Sequence, residues 1–328
     1  MKALIATSGG VDSSVTAILM KKMGYNCTCV NMKLTADSSI DIPCRVVDLV
    51  EEFRREVIGR FVTEYIEGRT PNPCIYCNRR LKFGRLYDYM QEQGFDCIAT
   101  GHYAQIAYEG RWLLKKAMDE AKDQSYVLYT LTQQQLPNIK FPLGSMTKSQ
   151  VRAIAMENGL VNANKQDSQD VCFIPDGDYG AFIERYTGKT FPCGAFVDKS
   201  GNILGKHGGI IRYTIGQRKG LGIALGEPAY VLEKSVKDNT VTLGRDEDLF
   251  SKTLLAREIN LIAADEFPDG LKICAKVRYN QKEQPARVWR TGPDKIRVEF
   301  DEAQRAIASG QSVVLYDGDI VVGGGTII

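Results

Sequence analysis

The stretch KALIATSGGVDSS, residues 2–14, joins a short apolar run to a loop of glycines and hydroxyl side chains. The apolar run is typical of a buried parallel strand. Residues 14–24 then place apolar side chains at helical spacing and stop at Gly24, a common residue just past a helix C-terminus. A strand, a glycine loop and a helix in this order predict the first unit of a doubly wound α/β sheet.

The loop at residues 8–14 predicts an anion site. Its two glycines permit a tight turn, while backbone amides, hydroxyl groups and the start of the helix supply donors and partial positive charge. The loop lacks the lysine of the Walker motif, which suits holding pyrophosphate as a leaving group while the α-phosphate is attacked. Asp12 could bind Mg²⁺ or cap the helix, and the sequence leaves both roles open.

The sequence pattern of the chain changes at about residue 188. Before this point, strands are predicted at 26–34, 43–49 and 95–103, and helices at 50–68, 78–94 and 149–160. After it, glycine-rich turns separate short alternating runs, as in antiparallel sheets and barrels. We therefore predict an α/β domain with a doubly wound, mostly parallel sheet, followed by two small β-rich domains, the last a β-barrel.

Composition points to a reducing compartment. The 328 residues carry a net charge of +2 and nine scattered cysteines, an odd number that argues against a disulfide framework. No apolar run approaches the ~20 residues needed to span a bilayer, and the N-terminus lacks the long apolar core of a signal peptide. We expect a cytoplasmic protein with no membrane segment.

Two cysteines stand three residues apart in TPNPCIYCNRRLKF, residues 70–83, after a Pro-Asn-Pro turn. This spacing suits metal ligation, thiol–disulfide chemistry or sulfur carriage, and the stretch alone does not choose among them. Cys74, Cys77 and Cys172 lie in turn-rich polar contexts. Several other cysteines lie in apolar runs and are expected to be small core residues.

The loop at 8–14 resembles the pyrophosphatase loop of the N-type ATP pyrophosphatases, which have an adenine nucleotide alpha hydrolase-like fold. Six further stretches, in chain order, resemble the bacterial tRNA-specific 2-thiouridylase family, often called MnmA. They are GRTPNPCIYCNRRLKF (68–83), ATGHYAQI (99–106), AKDQSYVLYTL (121–131), DSQDVCFIP (167–175), YTIGQRKGLGI (213–223) and GQSVVLYDGDIVVGGGTI (310–327).

The resemblance implies an ATP-dependent tRNA sulfurtransferase that makes 2-thiouridine at the wobble position of Lys, Glu and Gln tRNAs. It would adenylylate the C2 oxygen of uracil and then transfer persulfide sulfur. Expected partners are the anticodon loops of these tRNAs and a sulfur donor, either a cysteine desulfurase or a relay protein. The implied domains are a catalytic ATP-binding domain (1–137, with 168–187 packing back onto it), a central tRNA-binding domain (138–246) and a tRNA-binding barrel (247–328), in a monomer.

Residue roles follow from the same motifs. Cys77 matches the family nucleophile and Cys172 the persulfide carrier, and Arg79 and Arg80 could lower the thiol pKa of Cys77. ATP contacts are implied for Ala6, Thr7, Ser8, Gly9, Gly10, Val11, Asp12, Ser13, Met32 and Gly101, with Mg²⁺ accompanying the nucleotide. Contacts with the target base or the tRNA are implied for Asn72, Pro73, Cys74, His102, Lys122, Asp123, Gln124, Arg278, Tyr279 and Gln311.

Cys74 departs from the family pattern, in which many relatives have Asp at this place. One interpretation is a three-cysteine site, Cys74, Cys77 and Cys172, that holds a [4Fe-4S] cluster with one open iron. The other is a spare thiol that lines the tRNA pocket. Structural zinc is disfavoured because no fourth ligand is evident nearby.

The connection between the second and third strands is a second departure. Parallel neighbours need a crossover of roughly a dozen residues or more, and this chain offers TADSSIDI before the third strand. Either a helical element is lost or the sequence lacks a segment. A loss would make the third strand pair differently and open the ATP pocket around Met32. The alternative function is therefore a catalytically impaired paralogue that binds tRNA or a sulfur carrier. An ammonia-using ATP pyrophosphatase is a third hypothesis, but no glutaminase-like segment is visible.

Overall fold

A computed structural model describes residues 1–36, 44–160 and 171–328. Its first seven strands are β1 (Lys2–Ala6), β2 (Asn26–Lys33), β3 (Arg45–Asp48), β4 (Cys97–Ala99), β5 (Gln105–Tyr108), β6 (Trp112–Lys115) and β7 (Ile139–Lys140). Five of them form a parallel sheet in the order β3-β2-β1-β4-β7. The predicted parallel α/β sheet is confirmed.

Within the described ranges, five helices accompany these strands and the segment that follows them. They are α1 (Val11–Lys22), α2 (50–66), α3 (73–92), α4 (Lys148–Glu157) and α5 (Tyr179–Thr187). Helices α2 and α3 each contain a π-helical stretch, Arg54–Gly59 and Cys77–Arg85 respectively. Short 3₁₀ turns occur at Ser125–Leu128, Leu136–Asn138, Ile210–Arg212 and Asp246–Leu249.

Strand β1 shows why the sheet is covered on both faces. Its side chains alternate, so that Leu4 packs with Phe83 and Leu86 of α3, whereas Ala3 and Ile5 pack with α1. All three strand residues are fully buried. A strand with both faces covered must be apolar throughout, as the opening stretch is.

The third strand pairs in the ordinary way. β3 lies parallel to β2, with Val30 opposite Arg45 and Lys33 opposite Asp48. The expectation that it would pair differently is wrong, because β3 joins β2 in the same parallel sense as the other strands of the sheet. The expected loss of a helical element concerns residues 37–43, which lie outside the described residues.

Ten further strands build two β units. A four-stranded sheet, ordered β10-β11-β8-β9, contains β8 (Gly194–Val197), β9 (Ile203–His207), β10 (Tyr230–Ser235) and β11 (Thr240–Gly244). The remaining strands are β12 (Phe250–Leu261), β13 (Leu271–Lys276), β14 (Gln284–Gly292), β15 (Lys295–Arg305), β16 (Ser312–Asp317) and β17 (Ile320–Ile327). Because β17 pairs back to β12, these six strands close a barrel, as predicted.

Several segments cross the expected domain limits. The β5–β6 hairpin joins the edge of β17, where Ile320 pairs with Lys115. Strand β7 and helix α4 follow residue 137, yet β7 pairs with β4 and α4 packs on α1. After residue 170, Phe173 makes edge-to-face contacts with Phe53 and Phe61 of α2 at 5.6 and 5.4 Å between ring centroids. The first unit is therefore tied to both β units.

Candidate functional site

A pocket lies at the carboxyl ends of β1, β2 and β4. The strand order reverses between β1 and β4, and ligands of open α/β sheets bind at such a switch point. The cavity measures about 210 Å³ and is hereafter called the nucleotide pocket. It is lined by Ala6, Thr7, Ser8, Asp12, Ser13, Val30, Met32, Lys82, Thr100, Gly101, His102 and Gln124.

The glycine loop has the shape that an anion site requires. Gly9 adopts a positive φ of 74°, a conformation that side chains disfavour. The Ser8 amide donates to Ser13 Oγ at 3.2 Å, and that hydroxyl donates to the Gly10 carbonyl at 3.0 Å. Gly10 is the N-cap of α1, and no described side chain caps this helix. The first amides of α1 therefore remain directed at the pocket.

Gly101 lets the loop after β4 approach the first turn of α1. A Cβ atom at this position would lie 2.9 Å from the Asp12 carbonyl carbon and 3.0 Å from the Ser13 nitrogen. These distances are too short for any side chain, so a glycine is required. The two loops that the sequence assigned to ATP thus form one continuous wall.

Asp12 does not cap α1. Its carboxylate accepts hydrogen bonds from Tyr103 Oη at 2.9 Å and from Lys148 Nζ at 2.8 Å. Lys148 is the first residue of α4, and its side chain is only 10% exposed. An ammonium group thus reaches the lysine-free loop from a distant helix, and no local pattern in the sequence indicated it.

The cysteines beside the nucleotide pocket form a second site, the thiol cluster, made of Cys74, Cys77 and Cys172. Burial raises the pKa of the Cys77 thiol to about 11, Lys82 lowers it, and the nearby thiols of Cys172 and Cys74 raise it further. The electrostatic influence of Cys172 and Cys74 on Cys77 indicates that the three thiols share one neighbourhood. The structure therefore brings Cys77 and Cys172 together, although they are far apart in the sequence.

Cys74 and Cys172 are exposed, whereas Cys77 is half-buried. The protein around the two exposed thiols still dehydrates them enough to raise the pKa of each, and Lys82 opposes both shifts. The cation that acts on all three thiols is therefore Lys82. The expectation that Arg79 and Arg80 lower the pKa of Cys77 is wrong, because both side chains are exposed and neither contributes to it.

His102 is a buried residue of the pocket wall. Its Nδ1 lies 2.7 Å from Thr100 Oγ1, and its Nε2 lies 3.3 Å from Lys82 Nζ. Burial, reinforced by Lys82, lowers the pKa of His102 well below its usual value, so the ring is neutral. A neutral ring can accept from the Lys82 ammonium at Nε2 and donate to Thr100 from Nδ1. Contact of His102 with tRNA stays a prediction.

The start of α3 presents the residues assigned to the target base. Asn72 caps the helix, since its Oδ1 accepts from the Cys74 amide at 3.1 Å, and Pro73 occupies the first helical position. Burial raises the pKa of Tyr279 to about 12, with smaller contributions from Asp123 and Cys74. Tyr279 of the barrel unit is therefore near enough to Cys74 to interact with it electrostatically.

A larger cavity of about 660 Å³ lies beside Tyr279. It separates the 116–123 segment from the loop after β13 and contains Lys116, Lys276 and Lys282 among its lining residues. Asp123 also lines it, and the Asp123 carboxylate accepts from the amides of Ala117 and Ser125. Lys122 lies beside it in sequence, whereas Gln124 lines the nucleotide pocket and accepts from the Tyr103 amide at 3.0 Å.

Two residues assigned to RNA also hold the units together. Arg278 Nη2 donates to the carbonyls of Ile215 and Ala306, at 3.1 and 2.8 Å. Gln311 Nε2 donates to the Thr70 carbonyl at 2.7 Å, next to the start of α3. Both side chains are therefore engaged in contacts between units, which their motifs did not reveal.

Metal ligation receives no support from the geometry. Across residues 1–36, 44–160 and 171–328, no group of three or more His, Cys, Asp or Glu side chains is arranged to hold a metal ion. The three thiols of the cluster therefore do not fit an iron–sulfur centre. In the same ranges, no helix is long and apolar enough to cross a membrane.

Comparisons with known proteins agree with this architecture. Three family models match in order: a tRNA methyl transferase HUP domain at residues 1–40 and 35–176, a tRNA methyl transferase PRC-barrel domain at 180–245, and an aminomethyltransferase β-barrel domain at 251–327. The first model matches in two segments that overlap at residues 35–40, in the connection between β2 and β3.

Curated relatives match along their whole length. The chain is 47% identical to the tRNA-specific 2-thiouridylase MnmA of Clostridioides difficile, covering 99% of this chain and 98% of that protein. It is equally similar to the proteins of the same name from Lachnoclostridium phytofermentans (100% and 99% covered) and Acetivibrio thermocellus (99% and 99%). The first alignment spans 352 positions, more than the 328 residues of this chain, so it contains gaps in this chain.

An identity of 47% over nearly the entire chain, together with three family models that match in chain order, establishes the family. The chain belongs to the tRNA-specific 2-thiouridylase (MnmA) family.

Proposed function

We propose that this protein is an ATP-dependent tRNA sulfurtransferase that makes 2-thiouridine at the wobble position. The observation that carries the proposal is that Cys77 and Cys172, far apart in the sequence, share one thiol cluster beside the nucleotide pocket. A methyltransferase, which the family-model names suggest, needs no site for the phosphates of ATP, whereas adenylylation followed by persulfide transfer uses both a phosphate loop and two thiols. The names of the relatives support thiolation.

ATP would bind with its phosphates on the glycine loop and the start of α1. Residues 6–13 would supply the loop, and Met32 and Gly101, which line the same cavity, would border the adenosine. Mg²⁺ would enter with the phosphates and neutralise their charge, with Asp12 as the nearby carboxylate. Lys148 holds that carboxylate in the structure, so an incoming cation would compete with an ammonium.

The sulfur chemistry divides between the two thiols. The uracil C2 oxygen attacks the α-phosphate of ATP and pyrophosphate leaves, so that C2 carries an adenylate. The terminal sulfur anion of a Cys172 persulfide then attacks C2, and the C2–O bond breaks as AMP departs. The Cys77 thiolate attacks Cys172 Sγ, forming a Cys77–Cys172 disulfide and leaving one sulfur on C2. An external dithiol must reduce this disulfide, and the sulfur donor must reload Cys172.

The remaining assignments belong to the same proposal. The unit that carries the parallel sheet would perform the chemistry, and the central sheet and barrel would bind the anticodon arms of Lys, Glu and Gln tRNAs. The target base would be flipped out toward Asn72, Pro73 and Cys74, and the 660 Å³ cavity offers lysines for nearby phosphates. A cysteine desulfurase or relay protein would supply sulfur to a cytoplasmic monomer.

The impaired-paralogue hypothesis rested on the short connection after β2. The parallel pairing of β3 and the complete lining of the nucleotide pocket favour an active enzyme instead. Cys74 is better interpreted as a thiol that lines the path of the base, and no step is assigned to a cluster.

The test uses ATP labelled in the adenosine, together with tRNA that lacks the wobble modification. In the presence of a cysteine desulfurase with its substrate cysteine, which supplies persulfide sulfur to Cys172, and a dithiol, we expect pyrophosphate, AMP and 2-thiouridine to form only when this tRNA is present. A matched control is the same tRNA with cytidine at the wobble position. AMP formation that is equal with and without tRNA, or none with tRNA still bound, would rule out the proposed reaction.

A further inference from the structure

Lys82 is aligned with Cys77 by an unusual helix geometry. The stretch Cys77–Arg85 of α3 is π-helical, so its hydrogen bonds join residues five apart. Residues i and i+5 then lie above one another, as i and i+4 do in an α-helix. In an α-helix, Lys82 would point away from the thiol, whereas here it shares the face of Cys77. The π-helix thereby determines which cation reaches the sulfur.

Lys82 also belongs to the nucleotide pocket. It lines this cavity together with Ser8 and Gly101, and its Nζ lies 3.3 Å from Nε2 of the neutral His102. A neutral ring positions the ammonium without cancelling its charge. Among the described residues, no ion pair involves Lys82. Its positive charge is therefore available both to the nucleotide pocket and to the thiol cluster.

The proposed reaction needs a cation at this place. A sulfur anion must approach a carbon that carries an adenylate, and the phosphate of that adenylate is itself negative. Two anions a few ångströms apart in a partly dehydrated cleft repel each other strongly. A fixed ammonium between them offsets the repulsion and stabilises charge as it moves from sulfur to the departing AMP.

We propose that Lys82 is a catalytic residue shared by both halves of the site, which counters the sulfur anion of the thiol cluster and the phosphate of the adenylate. This role rests on the proposed function. The groups that face Lys82 are the thiols of Cys74, Cys77 and Cys172 and the ring of His102. Lys82 opposes the effect of burial on all three thiols, which supports the geometry.

The experiment measures the alkylation of Cys77 by iodoacetamide in the full-length protein between pH 7 and 10, with the modified peptide quantified by mass spectrometry. In Lys82→Met, which keeps the aliphatic stem, we expect the rate at pH 8 to fall about tenfold, equivalent to one unit of thiol pKa. Lys82→Arg should retain most of the rate. Arg80→Gln, a change of an exposed cation on the same π-helical stretch, is the matched control and should leave the rate unchanged.

A second measurement uses the unaltered protein and tests whether the cation is shared. AMP brings a phosphate to the nucleotide pocket, so it should engage Lys82 and slow the alkylation of Cys77. Adenosine, which has no phosphate, should not. In Lys82→Met, AMP should have no more effect than adenosine.

Three results would overturn the proposal: an unchanged rate in Lys82→Met, an equal decrease in Arg80→Gln, or equal slowing by AMP and adenosine in the unaltered protein. The last comparison needs no variant to fold. Neither measurement needs tRNA or turnover. If AMP slows the alkylation of Cys77 but no tRNA-dependent AMP formation is seen, the proposed function is contradicted. If tRNA-dependent AMP formation is seen but AMP does not slow the alkylation of Cys77, the role of Lys82 is contradicted.

Discussion

The nucleotide pocket and the thiol cluster are built in opposite ways. The pocket consists mainly of two short segments, residues 6–13 and 100–102, that each follow a central strand directly. The cluster combines Cys77, on a π-helical stretch, with Cys172, which follows the β7–α4 region of the chain. The nucleotide pocket is formed by loops at the ends of neighbouring strands, whereas the thiol cluster forms only when distant segments of the chain pack together.

The two sites also differ in how charge is handled. In the pocket, the Asp12 carboxylate is matched by the Lys148 ammonium at 2.8 Å. In the cluster, dehydration keeps Cys77 protonated at neutral pH, and Lys82 is the cation that opposes this effect. A preformed anion site can bind its ligand without any change of protonation. A protonated thiol must first lose its proton to become reactive, and the charged neighbours that favour this loss are supplied by the fold.

The largest expected effect separates the sites by chemistry. Cys77→Ser and Cys172→Ser should each reduce 2-thiouridine formation by on the order of a thousandfold or more, because each removes a reacting sulfur. Release of pyrophosphate with unmodified tRNA should persist, since the nucleotide pocket is untouched. Nucleoside mass spectrometry and a pyrophosphate assay measure the two steps. Cys193→Ser, which changes another exposed cysteine, is the control; thiolation that survives in Cys172→Ser would show that the sites are not divided in this way.

A change at Gly101 should impair the nucleotide pocket and leave the thiol cluster unaffected. Gly101→Ala places a methyl group 2.9 Å from the Asp12 backbone, so we expect a loss of about 1–3 kcal/mol from overpacking, seen as weaker ATP binding and lower stability. The alkylation rate of Cys77 should change little. Calorimetric titration with ATP and urea unfolding measure the effect. Gly208→Ala is the control, since its added Cβ would meet no atom closer than Arg212 Cδ at 3.9 Å, and equal ATP affinity in the two variants would refute the close-approach argument.

The smallest effect concerns His102, which lies between the two sites and packs against Phe83 and Phe141 at ring-centroid distances of 5.8 and 5.7 Å. Its pKa is lowered in the folded state, so the unfolded chain binds more protons below the ordinary His value of about 6.5. Stability should therefore be highest above this pH and decrease as the pH falls toward the folded-state pKa.

Urea unfolding of the protein and of His102→Gln at pH 7.5 and 5.5 measures this contribution. We expect the variant to lose less stability on acidification, by about 1 kcal/mol. His207→Gln is the comparison, because the pKa of His207 is also lowered by burial, although less strongly. An identical pH dependence in His102→Gln and the unaltered protein would mean that His102 is charged when folded.

The sequence by itself determined the elements that depend on local patterns. The apolar run at 2–6, the glycine loop and the helical spacing after it specified the strand, the anion site and α1, because hydrophobic period and glycine placement act over a few residues. The alternating runs after residue 188 likewise predicted the β units. The sequence motifs identified Cys77 and Cys172 as candidate residues but did not indicate how far apart they lie in the fold.

Only the tertiary structure decided which residues meet. The pairing of the β5–β6 hairpin with β17, the use of Arg278 and Gln311 as ties between units, and the contact of Lys148 with Asp12 all join distant segments. Arg79 and Arg80 looked like the natural partners of Cys77 in the sequence, but a π-helix presents Lys82 instead. Helical periodicity tells which face a side chain occupies only when the helix type is known, and the helix type depends on the packing around it.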